Sequence, residues 1–153
     1  VLESVTGAIG AKRTGIRLSP VTPANDLSDS DPQPLFNHVL DVVESFHPVY
    51  VHMIEGATGG PRDIVPGFDF EALRKRFSGT WMVNNGYDKA MAEAAVASGK
   101  ADLVAFGKPF VSSPDAVERL RRGAAFNEVD RETLYGGGAK GYIDYPTLEA
   151  VGA

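Results

Sequence analysis

The stretch TWMVNNGYDKAMAEAAVASGKADLVAFGKPF (residues 80–110) decides the fold class. It opens on an apolar, β-branched and aromatic run, TWMVNN (80–85), that stops at Gly86. It closes on a second apolar run, LVAF (103–106), that stops at Gly107. Between them YDKAMAEAAVASG (87–99) has a helical apolar pattern and ends on a glycine suited to the position just past a helix C-terminus. Strand, helix and strand in about this length make a parallel βαβ unit.

The same alternation extends toward the N-terminus. TGIRLS (14–19), bounded by Gly15 and Pro20, and VYVHMI (49–54), followed by Glu55-Gly56, read as strands. PLFNHVLDVVESF (34–46) places Leu35, Val39, Val42, Val43 and Phe46 on one helical face, and FDFEALRKRF (68–77) predicts another helix. A last helix, SPDAVERLRRG (113–123), has Ser113 as N-cap, Pro114 at the first helical position and Gly123 to stop it. Residues 1–10 read as the tail of a helix that feeds the first strand. Strand starts near residues 15, 49, 80 and 103 are spaced as successive βα units of one parallel sheet. From about residue 127 the pattern becomes irregular, and YGGGAKGYIDYP (135–146) carries tyrosines that are expected to pack.

Four such units suit either a small doubly wound domain or half of a (β/α)₈ barrel. The unusual residues, Arg17, His52, Glu55, Asn84 to Gly86 and Gly107-Lys108, all fall at the C-terminal ends of strands, where both architectures keep their chemistry. A glycine-rich turn after the first strand, expected of a dinucleotide-binding unit, is absent. Glycines follow the third and fourth strands instead, where barrels commonly bind phosphate. Glycine turns let a ligand approach the backbone, and Lys108 adds a full positive charge, so an anion such as phosphate suits the pair. Each turn alone reads first as an ordinary chain reversal; only the pair, with Lys108, sets phosphate binding level with that reading.

Arg17 alternates with Ile16 and Leu18 and so faces the other side of its strand. A structural ion pair with a neighbour such as Glu55 and a contact with an electron-rich ligand atom both stand open for it. His52 reads as a strand residue satisfied within the core. No His/Asp/Glu spacing points to a metal, and no activated serine or cysteine nucleophile is evident.

Of 153 residues, 43% are hydrophobic and 23% charged, the balance of a globular domain. A net charge of −5 gives no support for nucleic-acid binding. No apolar run approaches the roughly 20 residues that cross a bilayer, and no membrane association is expected. The absence of cysteine suits a cytoplasmic protein.

GIRLSP, YVHMIE, NNGYDKAMAEAAVASGKADLVAFGKPFVSSPDAVERL and ETLYGGGAKGYIDYPTL, in that order, resemble segments of the old yellow enzyme family of flavin-dependent ene-reductases. The resemblance covers almost the whole chain. It implies the C-terminal half of a (β/α)₈ TIM barrel, strands 5–8, with residues 1–153 forming half of one domain and an irregular aromatic and Gly-rich tail from about residue 127. It implies FMN as cofactor and NADPH or NADH as reductant. Arg17 matches the family arginine beside the flavin N1/C2 carbonyl. Asn85, Gly86, Gly107 and Lys108 fall in the turns that hold the FMN phosphate. Phe110 is expected to pack nearby, and Tyr142 matches a tyrosine on the substrate side of the flavin. At the Lys108 position many relatives carry arginine; lysine keeps the charge but loses the bidentate fork.

The family residues that grip the substrate carbonyl and donate the proton belong to the N-terminal half. The chain is therefore expected to need a complementary half-barrel partner. With it, NAD(P)H-dependent reduction of an activated alkene, an α,β-unsaturated carbonyl compound or nitroalkene, is expected. A half-barrel that only binds a phosphorylated ligand, and a non-catalytic assembly fragment, are the rival functions.

Overall fold

A computed structural model describes residues 1–24, 26–136 and 138–151. Gly137 of the glycine-rich tail and the last two residues of the expected 1–153 span lie outside the described residues. The chain divides into two compact units, Val1–Ala105 and Phe106–Ala153.

The first unit runs α1 (Leu2–Ile9), a 3₁₀ turn (Ala11–Arg13), β1 (Gly15–Leu18), α2 (Pro32–Phe46), β2 (Tyr50–Ile54), α3 (Phe70–Arg74), β3 (Thr80–Asn84), α4 (Lys89–Ala97) and β4 (Leu103–Val104). Helix starts follow local chemistry. The Asp69 carboxylate accepts the Ala72 N–H (2.9 Å), and Asp88 accepts the Met91 N–H (2.8 Å). These two caps trim the helices expected over 68–77 and 87–99, because a capping residue stands outside its helix. At the far end of α4 the cap is Ser98, and Gly99 follows with φ +74°, as expected of a closing glycine.

The buried stripe of α2 differs from the expected one. Pro32, Leu40 and Val43 are buried, whereas Leu35 and Val42 are exposed. The expected face, drawn on a helix over 34–46, shares Val43 with the buried line. That line runs through Leu40 and leaves Val39 and Phe46 only half-buried, so it is rotated by part of a turn from the expected one.

The four strands form one parallel sheet in the order β1-β2-β3-β4. Arg17 lies beside His52, His52 beside Met82, Ile54 beside Asn84, and Met82 beside Leu103. Strand order that never reverses has no topological switch point, so the sheet winds as a barrel segment and not as a doubly wound domain.

Strand alternation divides the sheet into two faces. Val51, Met53, Trp81 and Val83 point to the helices and are at most 2% exposed. Burying each large apolar side chain stabilises the unit by about 1.5–3 kcal/mol. On the opposite face Arg17, Tyr50, His52, Thr80, Met82, Asn84 and Leu103 are incompletely buried, and Ile54 beside Asn84 is the buried exception among the described residues. Parallel sheets are ordinarily covered on both faces; among the described residues this one is covered on only one.

The second unit contains α5 (Lys108–Ser112), α6 (Ala116–Arg122) and α7 (Leu148–Val151). The helix expected over 113–123 is α6, which starts three residues later than expected and stops at Gly123 as expected, while α5 precedes it. Ser113 caps the C-terminal end of α5, and its hydroxyl accepts the Asn127 N–H (2.9 Å), so it is not free to start a helix. Asp115 occupies the N-cap of α6 instead, with its carboxylate held by Arg119 (2.6 Å) and the Leu148 N–H (2.7 Å). Those bonds, the Arg119 one foremost, keep the Asp115 carboxyl below its ordinary pKa.

Buried Arg119 also donates to the carbonyls of Ala125 (2.6 Å) and Pro146 (3.1 Å), which ties the tail to α6. The expectation that the tail tyrosines pack holds only for Tyr145, whose hydroxyl accepts the Asp130 N–H (2.9 Å). Tyr135 and Tyr142 are 97% and 81% exposed, since the described tail residues form no apolar surface to receive them.

Candidate functional site

At the open face of the first unit, a polar row crosses three strands. Arg17 stands beside His52, and the His52 Nε2 lies 3.1 Å from Asn84 Oδ1. Burial, then the Arg17 cation, lowers the His52 pKa from its ordinary value of 6.5, against the opposing effect of the Asn84 bond. The imidazole is therefore neutral at neutral pH. His52 is half-buried and tied to Asn84, not enclosed in the core.

The ion pair between Arg17 and Glu55 does not form. Glu55 follows the parity of Val51 and Met53 and turns to the helix side, whereas Arg17 lies on the other face. Glu55 is instead 2% exposed, accepts the Tyr87 hydroxyl (2.6 Å), and lies 3.3 Å from Lys100 Nζ and 3.7 Å from Arg62 Nε. Arg17 forms no ion pair among the described residues. It borders a cavity of about 540 Å³ whose apolar lining includes Val21, Leu27, Phe36 and Val65.

The turn after β3 is unusual in its backbone. Asn85 has φ +114° and Gly86 φ +66°. The first conformation costs an ordinary residue roughly 1–3 kcal/mol and persists only where surrounding contacts enforce it. Here they do. The Asn85 amide donates to the carbonyls of Glu55 (2.5 Å), Ala57 (2.8 Å) and Gly60 (3.3 Å), and its oxygen accepts the Gly59 N–H (2.9 Å). The Asn85 carbonyl accepts both Nε (2.9 Å) and Nη2 (2.6 Å) of Arg62. That guanidinium also sits 4.0 Å from the Tyr87 ring centroid. Burial first, then the bond to Glu55, raises the Tyr87 phenol well above its ordinary pKa. The Gly86 and Tyr87 N–H groups have no backbone acceptor among the described residues.

The remaining expected residues belong to the second unit. Gly107 precedes α5 with φ −103°, a conformation open to any residue, and Lys108 begins that helix. Phe110 is 51% exposed. Within the first unit Arg17 and the Asn85–Gly86 turn belong to strands about 10 Å apart, separated by β2, and the turn begins three residues beyond the Met82 position in register with Arg17. The cluster of Glu55, Arg62, Tyr87 and Lys100 was not anticipated as a unit. Its one signal is a carboxylate closing an apolar strand directly before a glycine.

No helix among the described residues is long and apolar enough to cross a membrane. A sequence model of the NADH:flavin oxidoreductase / NADH oxidase family matches residues 1–127. The putative 12-oxophytodienoate reductase 10 of Oryza sativa subsp. japonica is 42% identical over 156 aligned residues, covering 97% of this chain and 49% of that protein. Rice 12-oxophytodienoate reductase 1 is 39% identical, over 99% of this chain and 40% of its own length. Among solved structures, a morphinone reductase superposes with a TM-score of 0.88 at 37% identity, covering 99% of this chain and 41% of that one. The old yellow enzyme from Trypanosoma cruzi gives 0.87 at 35% identity, over 96% and 38% of the two chains. The chain thus spans half or less of the length of these relatives. Its sequence match, together with its singly wound parallel sheet, shows that the chain belongs to the NADH:flavin oxidoreductase / NADH oxidase family.

Proposed function

We propose that this chain is the C-terminal half, strands 5–8, of one (β/α)₈ domain of an FMN-dependent ene-reductase, completed by an N-terminal half. That half is supplied either by a separate chain or by another part of a longer polypeptide. The observation that carries this reading is the uncovered polar face of a singly wound four-stranded sheet in a chain that matches half or less of its relatives. Both sheet edges also lack a neighbour among the described residues, a state soluble proteins avoid. The family motifs that the chain matches, in their order, support the C-terminal assignment. A cysteine-free sequence supports a cytoplasmic setting.

The residues present fit FMN. Arg17 offers a cation with no ion pair among the described residues on the open face, and the Gly86 turn offers backbone N–H groups with no backbone acceptor among them. The chemistry FMN supplies when bound is two-electron: hydride from NADPH or NADH, passed to the β-carbon of an alkene activated by a carbonyl or nitro group. This chain's residues bind and orient. Arg17 places positive charge where the reduced flavin ring accumulates negative charge. Gly86, Gly107 and Lys108 hold the phosphate, Lys108 as a point charge. Phe110 packs beside the cofactor, and Tyr142 lines the substrate side. The Asn84-bonded imidazole of His52, its pKa lowered by burial and then by Arg17, stays neutral and adds no second charge beside Arg17.

Flavin absorbance of the purified protein, with Arg17→Ala and Lys108→Ala beside the parent, tests this. The expected result is bound FMN in the parent, weakened in Lys108→Ala, with alkene reduction depressed in Arg17→Ala. A colourless protein that cannot be reconstituted with FMN would sink the redox reading. Unchanged FMN retention and turnover in both variants would favour a role in assembly only.

A further inference from the structure

Asn85 lies far outside the left-handed well that Asp26 (φ +57°) and His47 (φ +47°) occupy. Its side chain also has nothing left to offer a ligand. Both amide hydrogens face carbonyls of the loop after β2, and the oxygen already accepts the Gly59 N–H. The one remaining lone pair on that oxygen would repel an anion. An asparagine that contacted phosphate would instead keep its N–H groups pointing away from the loop.

The groups around it form a closed circuit. Arg62 grips the Asn85 carbonyl with two donors, stacks on the Tyr87 ring and lies beside Glu55. Tyr87, two residues after Asn85, returns to Glu55 through its hydroxyl. Glu55 closes the circuit, because its own carbonyl accepts the Asn85 amide. The loop after β2 and the turn after β3 therefore fix one another, and neither relies on a regular ladder to do so.

We propose that Asn85 is a positioning residue: with Arg62, Tyr87 and Glu55 it clamps the Ala57–Gly60 loop to the Asn85–Tyr87 turn and so pre-forms the turn that receives the flavin phosphate. This rests on the FMN reading above. Preorganisation is what the clamp contributes, since a turn already held in its binding shape loses no freedom when the phosphate arrives.

Two measurements on the protein that carries this chain test the proposal: amide hydrogen exchange across residues 57–60 and 85–87, and the FMN dissociation constant. The variants are Asn85→Ala, Tyr87→Phe and Arg62→Gln; the last two remove members of the clamp that touch no ligand. All three should exchange faster at Gly59 and weaken FMN by about tenfold, the factor equivalent to one net hydrogen bond. If Asn85→Ala fails to fold, Tyr87→Phe, which deletes a single hydroxyl, carries the test alone. Unchanged exchange in the loop overturns the clamp, whatever FMN does. Faster exchange with an unchanged FMN constant overturns the positioning role and leaves the flavin reading intact. A parent that binds no FMN while its loop exchanges slowly overturns the flavin reading, and with it the phosphate role of the turn.

Discussion

The turn after β3 and the turn after β4 both carry a glycine, and the family resemblance gives both the same ligand, but they are built differently. Gly86 sits at φ +66° behind a strained asparagine whose side-chain amide is committed to the loop after β2. Both glycines have open space where a Cβ would stand, but Gly107 sits at φ −103° and leads straight into a short helix with Lys108 at its start. One turn is fixed by its neighbours; the other contributes charge and carries no backbone demand. A glycine after a strand is therefore no uniform signal. Its backbone conformation decides whether its missing side chain matters.

The sharpest way to break this contrast is Asn85→Ala. It strips three carbonyls and one N–H of their partner and leaves alanine at φ +114°, so it should cost about 3 kcal/mol in chemical denaturation. Next come the paired glycine variants. Gly86→Ala should cost about 1–2 kcal/mol for its left-handed backbone, whereas Gly107→Ala should stay within about 0.5 kcal/mol of the parent. Equal losses from the two would erase the distinction. Tyr87→Phe removes one buried bond to Glu55 and should lower the melting temperature by the equivalent of about 1 kcal/mol.

The smallest expected effect concerns pH. The folded-state pKa of His52 is depressed, so between pH 6.5 and that lower value the unfolded chain takes up a proton that the folded chain refuses. Stability from this group is present above pH 6.5 and declines as the pH falls through that window. His52→Gln should flatten that part of a stability–pH profile while leaving the rest unchanged.

Much of this architecture was legible in the sequence. The run from Thr80 to Phe110 specified a βαβ unit because its apolar periodicity, glycine stops and lengths agree. Sequence also put Arg17 on the face opposite Ile16 and Leu18, since strand alternation leaves no other choice. It erred where a side chain had a distant competitor. Ser113 resembles an N-cap, yet its hydroxyl is taken by Asn127, fourteen positions away. The side-chain partner of Asn85 was equally hidden: its amide serves a loop that begins thirty positions earlier, at Glu55. The ion pair imagined between Arg17 and Glu55 ignored that the two sit on opposite faces. Local propensity reports what a residue can do; the partner it meets depends on which strands become neighbours.

The central claim is that this chain supplies half of a flavin-binding barrel. Native mass spectrometry of the protein isolated through this chain tests it most directly. The account predicts a folded species containing the missing four-stranded half and one FMN. A stable, folded 16.3 kDa species of this chain alone, without FMN and unable to take it up, would contradict it.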